Sequence, residues 1–450
     1  MPRWHQVLPI HSRRFTQRAF STAVPERVEV RCGSAGHVTI DLFNVPETSS
    51  NEPLLIHMPP FPQPNGSASQ LPLFLQNRSV ASINYRWRPF SEPPTHDEAP
   101  GPLHWPTPIH DSAFAFSWLI ENLPPPKNSR RDIYIYGSYL GASLATSLAL
   151  TETHTHARFG VRGFMAYNGI YNWTMFLPDH RINKAPKRTK SARAPPGPAE
   201  GSHLHKLQEY MPALFGTPSN LFDSFASPSL FFHSPGLLVP PSFYMTVEHS
   251  ALIDNMTSDQ EILSKPIKAP RKSHLIFPPR QSTLKIPDTL LLFDSAPPPV
   301  TKSSAKSKSV RSRRTAKRTG HSFQAQASEL AELMRRSVEV VELKERSKWD
   351  EDVHSRVDEA LGRVRVVDAG PERESIELSE GGQDARQRDQ VVCFLHLEAK
   401  LRIGSATVSF SSRLKLKEPK YPNKKTMLLQ KKKKKLERKR MQGFKGDGYG

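Results

Sequence analysis

The chain has 450 residues, a formal net charge of +20, and 42 prolines against 23 glycines. An α/β domain with insertions can exceed about 250 residues, so this length predicts one large domain with added tails. The two cysteines, Cys32 and Cys393, lie far apart and outside any Cys/His cluster, which excludes a disulfide framework and argues against a metal site. We expect no cofactor. We also expect no transmembrane segment, because no apolar stretch reaches about 18 residues.

Much of the positive charge lies in segments that are poor in large apolar residues, at 184–193, 302–318 and 415–445. Charge blocks of this kind are typical of solvated linkers and tails. The alternative is that the runs at 302–318 and 431–440 contact the phosphates of RNA or another nucleic acid. We favour linkers and a tail, because no RNA-binding motif and no interleaved aromatic residues accompany these runs.

Residues 1–25 predict a mitochondrial presequence, and therefore a location in the mitochondrial matrix. They contain four arginines and no acidic residue, and large apolar residues are interleaved with Ser and Thr. The segment Arg18-Ala-Phe-Ser21 resembles a processing site. The alternative is a disordered basic N-terminus, which we consider weaker because the apolar residues are spaced to form an amphipathic helix.

The first elements of the predicted domain are strands. Apolar residues alternate with polar ones around Val28 and Val30 and again at 37–43, which predicts two antiparallel strands. Short apolar runs at 54–57 and 80–85 are expected of strands buried on both faces of a sheet. A helix is predicted at 109–123, because apolar residues recur there at helical spacing and prolines follow.

The next elements alternate between strand and helix. The pattern predicts a strand at 132–136, a tight turn at 137–141, a helix at 142–151 and a strand at 161–167. Strands that alternate with helices favour a mostly parallel sheet with right-handed crossovers.

The rest of the chain suggests a core that is interrupted by an insertion. Residues 26–172 form the N-terminal part of the core, and the Pro-rich region 173–285, with an amphipathic piece at 204–211, is predicted to be a cap above the sheet. The C-terminal part of the core spans 286–369 and contains a basic linker at 299–320. Its predicted elements are a strand at 287–293, a helix at 324–336 and a strand at 338–343. Residues 370–450 form a basic tail without an evident fold.

Four short segments occur in the order that characterises one enzyme family. They are His57-Met-Pro-Pro-Phe61, Tyr85-Arg-Trp-Arg-Pro89, Pro106-Thr-Pro-Ile-His-Asp111 and Gly137-Ser-Tyr-Leu-Gly-Ala142. The order resembles the hormone-sensitive-lipase-like branch of the α/β-hydrolases, in which the corresponding motifs are His-Gly-Gly-Gly-Phe, Tyr-Arg-Leu-x-Pro, Pro-x-x-x-x-Asp and Gly-Asp-Ser-Ala-Gly-Gly. The resemblance covers roughly 28–167, with a weaker similarity at 286–343. It implies an α/β-hydrolase fold and, in the family, carboxylester hydrolysis.

The segment at 137–142 corresponds to the family's nucleophile elbow, a strained strand-to-helix turn that presents a serine at its tip. Tyr139 occupies the tip here. A phenol with a pKa of about 10 is a poor acyl acceptor at neutral pH. Ser138 is one position early, so its side chain is expected to point away from the pocket unless the turn slips by one residue.

The segment at 57–61 corresponds to the loop that supplies backbone N–H groups to the substrate oxygen. Where the family has consecutive glycines, this chain has Met58, Pro59 and Pro60 after His57. Proline has no N–H group, and losing one such donor typically lowers the rate by about 100-fold or more. We interpret this segment as a rigid loop without a catalytic role.

The remaining members of a catalytic triad are harder to identify. Asp294 follows the strand at 287–293 and is the candidate acid, although it is also compatible with an ordinary turn carboxylate. His321 and His354 are both candidate bases, and neither has the family's His-Gly-Phe context. By contrast, Arg86 and Asp111 match family positions with structural roles.

Three functional hypotheses follow. The first is a catalytically inactive α/β-hydrolase-fold protein in mitochondria that binds a small apolar ligand or a protein partner. The second is an active carboxylester hydrolase with Ser138 as nucleophile, Asp294 as acid and His354 or His321 as base. The third is an RNA- or ribosome-associated basic protein. We favour the first, because scaffold positions match the family and reacting positions do not.

Overall fold

The computed structural model describes residues 25–33, 36–45, 52–62, 70–87, 103–126, 129–183, 197–244, 268–295, 321–346, 348–349 and 356–372. All of them belong to one compact unit within residues 1–394. The three basic runs, nearly all of the predicted presequence and nearly all of the predicted tail lie outside the described residues.

The centre of the protein is an eight-stranded sheet. Its strands are β1 (Glu26–Arg31), β2 (His37–Phe43), β3 (Leu54–Met58), β4 (Val80–Asn84), β5 (Arg131–Ser138), β6 (Phe159–Tyr167), β7 (Asp288–Ser295) and β8 (Val364–Pro371). The order across the sheet is β1-β2-β4-β3-β5-β6-β7-β8. Strand β2 pairs antiparallel with β1 and β4, and the other pairs are parallel. This order defines the α/β-hydrolase fold and confirms the fold class predicted from the sequence.

Helices connect these strands. They are α1 (Thr107–Asn122), α2 (Leu140–Glu152), α3 (His203–Phe215), α4 (Phe323–Ser337), α5 (Lys344–Arg346) and α6 (Arg356–Arg363). Three 3₁₀ turns lie at Trp173–Phe176, Pro218–Phe222 and Pro228–Phe231. No helix among the described residues is long and apolar enough to cross a bilayer.

Local sequence explains where the main helices begin and end. Ser202 and Ser322 cap α3 and α4, because their hydroxyl oxygens accept hydrogen bonds from the backbone N–H groups of His205 (3.2 Å) and Ala325 (3.1 Å). Helix α3 ends at Gly216, which adopts a φ of 68° that suits glycine. Helix α2 is rich in small and apolar residues and is buried throughout 140–150, so it packs against β5 and β6 as a central core helix.

The predicted strand at 338–343 is wrong, because this segment continues α4 as a π-helix. Val338 and Leu343 are both buried and lie five residues apart, which matches the i to i+5 repeat of a π-helix. The valines at 338, 340 and 341 gave the segment a strand-like composition. The strand that closes the sheet is β8, whose partly exposed sequence carries a weak signal.

The pair formed by Arg86 and Asp111 has the structural role that was predicted for it. Asp111 lies in the first turns of α1 and is fully buried. Its carboxylate accepts hydrogen bonds from the backbone N–H of Arg86 (2.8 Å) and from the guanidinium Nε (3.0 Å) and Nη2 (2.6 Å). The pair therefore connects the end of β4 to the start of α1.

Candidate functional site

The elbow (residues 137–141) has the geometry of a nucleophile elbow, with tyrosine at its tip. Strand β5 ends at Ser138, helix α2 begins at Leu140, and Tyr139 between them adopts φ 49° and ψ −113°. A positive φ at a bulky residue is strained, which is typical of this turn. A Cβ atom on Gly141 would lie 2.3 Å from the carbonyl oxygen of Pro59, so glycine is required for the close approach. The tip of the turn falls at residue 139.

The Tyr139 side chain fills the space in front of the elbow. Only 3% of the residue is exposed, and the rings of Phe61, Tyr167 and Phe323 lie within 5.9 Å of its ring. Its hydroxyl lies 2.9 Å from Nδ1 of His203 and accepts a hydrogen bond from Asn168 Nδ2 (3.3 Å). Burial raises the pKa of the Tyr139 phenol above its ordinary value, so the group stays neutral at physiological pH.

His203 connects the elbow to the cap and to the end of the sheet. It is the first residue of α3 and is 4% exposed. Its backbone N–H donates to Oε1 of Glu372 (2.8 Å), and its Nδ1 lies 3.5 Å from the same oxygen. A carboxylate at the N-terminus of a helix is favoured by the helix dipole. Tyr139 and Glu372, the residue after β8, therefore hold the first turn of α3 against the sheet.

Ser138, the alternative nucleophile, is 2% exposed and is the last residue of β5, where it pairs in register with Tyr167. Among the described residues, no histidine nitrogen forms a hydrogen bond with its hydroxyl. A serine nucleophile requires a base within about 2.6–3.2 Å. The described part of the structure thus does not bring Ser138 and a candidate base together.

The predicted loop at 57–61, whose first two residues belong to strand β3 instead, presents carbonyl oxygens to the elbow. The backbone N–H of Leu140, which follows the tip and would donate to an oxyanion, donates instead to the carbonyl oxygen of Pro60 (3.2 Å). The carbonyl oxygen of Pro59 accepts from the Tyr85 hydroxyl (2.8 Å), and that of Met58 faces Gly141. The position where an oxyanion would be stabilised is therefore occupied by the chain's own oxygen atoms.

Asp294, the candidate acid, lies close to the elbow and is 9% exposed. Its Oδ2 accepts hydrogen bonds from the Tyr167 hydroxyl (2.6 Å) and from Asn168 Nδ2 (3.1 Å), and its backbone N–H donates to Asn168 Oδ1 (2.8 Å). Asn168 also contacts the Tyr139 hydroxyl. A continuous network therefore runs from Asp294 through Asn168 and Tyr139 to His203.

His321, one of the two candidate bases, is not part of this network. His321 Nε2 contacts Asn183 Oδ1 (2.6 Å), and its ring stacks on Phe176 at 5.4 Å. His354 lies outside the described residues, and it precedes the closing strand β8 in the chain. His354 is a candidate base because it follows 338–343, the segment predicted to be the last strand. That strand prediction is wrong.

Aromatic side chains from the core and the cap pack against one another beside this network. The rings of Trp87, Trp105, Trp173 and Phe215 lie 5.0–5.9 Å apart. Phe232 from the cap is also buried and contacts Phe277 at 5.3 Å. This cap aromatic residue therefore contributes to packing. Within the described ranges, no group of His, Cys, Asp or Glu side chains could hold a metal ion.

The burial of His57, in strand β3, predicts acid sensitivity. Its Nδ1 lies 2.9 Å from the Ser82 hydroxyl, and burial lowers its pKa from 6.5 to about 3. Because the folded state holds His57 neutral while the unfolded state takes up a proton below pH 6.5, stability is lost as the pH falls from 6.5 towards 3. We expect the free energy of unfolding to drop by about 2 kcal/mol between pH 8 and pH 5 through this residue.

Urea titrations at several pH values would measure this effect. The variant His57→Gln should lose stability at pH 8 but show a flatter pH profile. If the free energy of unfolding depended equally on pH in the parent chain and in His57→Gln, His57 would not titrate as the structure predicts.

Comparison with known proteins adds similarity at the level of the fold. No family model and no curated protein matches the sequence. Among solved structures, the carboxyl esterase 2 of the mycorrhizal fungus Tuber melanosporum is 11% identical, with 82% of this chain and 83% of that chain covered and a TM-score of 0.38. A thermophilic carboxylesterase cloned from a metagenomic library is 10% identical (85% and 90% covered, TM-score 0.41). A hormone-sensitive lipase from a metagenome library is 12% identical (81% and 82% covered, TM-score 0.36).

The strand order, the strained turn after β5 and the flanking helices define the class: the chain is an α/β-hydrolase-fold protein. The three solved structures named above are described as two esterases and a lipase. These similarities concern the fold. The residues of the elbow decide what chemistry is available in this chain.

Proposed function

We propose that this chain is an α/β-hydrolase-fold protein without hydrolase activity, which acts in mitochondria as a scaffold for a small ligand or a protein partner. The observation that supports the proposal most strongly is the closed elbow. Tyr139 occupies the tip with a neutral, buried phenol, and the Leu140 N–H is bonded to Pro60. Nucleophile and oxyanion donor are therefore replaced independently of each other.

The role of Tyr139 in this proposal is structural. A phenol that bonds to Asn168 and His203 fixes the first turn of α3 over the sheet. The cap is thereby held in a closed position in which Ser138 and Tyr139 are both inaccessible to a substrate. The mitochondrial part of the proposal is supported by the composition of residues 1–25 alone.

The alternative function is carboxylester hydrolysis with Ser138 as nucleophile. It is supported by the fold and by the position of Asp294 beside the elbow. It requires that the cap opens, that the turn slips by one residue, and that the Leu140 N–H leaves Pro60. The basic segments that would support an RNA-binding role lie outside the described residues.

Hydrolysis of short-chain aryl esters by the full chain tests the proposal. The parent chain, Ser138→Ala and Tyr139→Ser should all show only the background rate. Tyr139→Ser is expected to gain nothing, because a serine hydroxyl would be too short to reach His203 and the oxyanion position stays occupied. Circular dichroism should show equal folding, and a known serine esterase serves as the positive control. Turnover that Ser138→Ala abolishes would overturn the proposal and establish an esterase with a shifted nucleophile.

A further inference from the structure

A cavity of about 590 Å³ lies at the edge of the sheet opposite the elbow. Its lining residues come from the segments that precede three parallel strands: Thr155 and His156 before β6, residues 278–285 before β7, and Arg363 before β8. The π-helix, Arg346 of α5 and Glu359 of α6 supply the remaining wall. Tyr139 follows the carboxyl end of β5, which runs parallel to β6. The cavity therefore faces away from the elbow and from every residue of the network around Tyr139.

We propose that this cavity binds a small amphipathic anion, that is, a carboxylate or phosphate monoester with an apolar body. The inference does not depend on the proposed function, because it involves none of the elbow residues and no catalysis. Cavities of about 300–1,000 Å³ hold small ligands in proteins. The volume found here falls within that range.

One part of the lining is apolar. Pro278, Pro279, Leu284, Val341 and Leu343 contribute to the wall. The side chains of proline and of branched aliphatic residues offer an apolar surface for hydrocarbon and have no polar group that needs a partner on the ligand. This part of the cavity suits an aliphatic or aromatic body.

The charged part of the lining favours an anion. Four basic and two acidic side chains line the cavity. The two acids are already engaged: Arg363 bonds to Glu342 and to Glu359 (3.1 Å), and Glu342 Oε1 also accepts from the backbone N–H of Ile286 (3.0 Å). Arg346 lies 3.7 Å from Glu359. The acids are therefore neutralised by protein groups.

The other two basic residues of the lining are Arg280 and Lys285, and these can bind an anionic ligand. Neither forms an ion pair with another described residue. Both side chains are exposed and belong to one segment, whose backbone is fixed by bonds from Thr155 N–H to Thr283 O and from Lys285 N–H to Thr153 O, each 3.0 Å. The two cations are thus held at the cavity by an ordered segment and attract a negatively charged head group.

Isothermal titration calorimetry with the full chain tests the proposal, with sodium decanoate as the probe. Decanoate should bind at one site. Inorganic phosphate and acetate, which lack the apolar body, and decyltrimethylammonium, which has the opposite charge, should each bind at least about tenfold more weakly. The double variant Arg280→Glu/Lys285→Glu should weaken decanoate binding by about tenfold or more. Val341→Trp, which fills the cavity from the π-helix, should also weaken it.

The matched control is Lys268→Glu/Arg271→Glu. Both residues are exposed, lie on the same segment outside the cavity lining, and change the net charge by the same amount. Decanoate affinity should stay at the parent value in this variant. An equal loss in both double variants would show nonspecific attraction by the net charge and would overturn the proposal. Absence of decanoate binding to the parent chain, or phosphate binding as tight as decanoate binding, would overturn it as well.

Discussion

Replacement of Asp111 by alanine is expected to lower the free energy of unfolding by about 3 kcal/mol. The Asp111 carboxylate is fully buried and accepts three hydrogen bonds from Arg86. Its removal leaves the half-buried guanidinium and the Arg86 N–H without these acceptors. Breaking a buried ion pair costs about 3–5 kcal/mol, and we expect the lower end because the Arg86 side chain keeps 20% of its surface exposed.

The control for this experiment is a pair at the surface. Arg130 lies 3.7 Å from Asp132 and keeps 54% of its side chain exposed, so Arg130→Ala should change the free energy of unfolding by less than about 1 kcal/mol. Urea titrations of both variants at neutral pH would measure the two effects. A similar small effect for both variants would show that the Arg86–Asp111 pair does not anchor α1 to the sheet.

Replacement of Gly141 by alanine is also expected to cost about 3 kcal/mol or more. The added Cβ would lie 2.3 Å from the Pro59 oxygen and 2.4 Å from the Met58 oxygen. These atoms belong to the backbone of the loop at 57–61, so the loop would have to move away from α2. The bond from Leu140 N–H to Pro60 and the bond from Tyr85 to Pro59 would be disturbed together.

Gly362 offers a matched glycine in a different environment. It lies in helix α6, and a Cβ added there would meet nothing within 4 Å. Gly362→Ala should therefore stabilise the chain by about 0.5–1 kcal/mol, because alanine has the higher helix propensity. Thermal unfolding of the two variants should move in opposite directions. A Gly141→Ala variant as stable as the parent chain would contradict the close packing of the loop against the elbow.

Much of the fold could be predicted from the sequence because its signals are local. Alternating apolar residues at 37–43 and buried runs at 54–57, 80–85 and 161–167 correspond to strands of the sheet. The elbow could be located because Gly137 and Gly141 fix the position of the tip at Tyr139. The failure at 338–343 has a physical reason, since a short valine-rich run is compatible with a strand or with a buried helix.

The partners of Tyr139 could not be predicted in the same way. His203 lies 64 positions after Tyr139 in the chain, and Glu372, which bonds to His203, lies a further 169 positions on. No local pattern marks either residue, apart from the amphipathic helix that His203 begins. Asn168 directly follows strand β6, and a polar residue at that carboxyl end is the one signal that could have suggested a place near the site.

Two groups of residues that the sequence singled out have different contacts in the structure. Arg86, Asp111, Gly137 and Gly141 have the structural roles that the fold requires. Tyr139 lies at the tip of the elbow, and the carbonyl oxygens of Pro59 and Pro60 accept hydrogen bonds from the Tyr85 hydroxyl and the Leu140 N–H. These contacts are the basis of the proposal that the elbow serves packing instead of catalysis.

Covalent labelling with a fluorophosphonate tests the central claim most directly, because this reagent reacts with activated serine nucleophiles. The full chain would be treated beside an active serine esterase, and the peptide that contains Ser138 and Tyr139 would be analysed by mass spectrometry. We expect no adduct on this peptide under conditions that label the esterase completely. A stoichiometric adduct on Ser138 that disappears in Ser138→Ala would contradict the closed elbow and show that the chain is an active hydrolase.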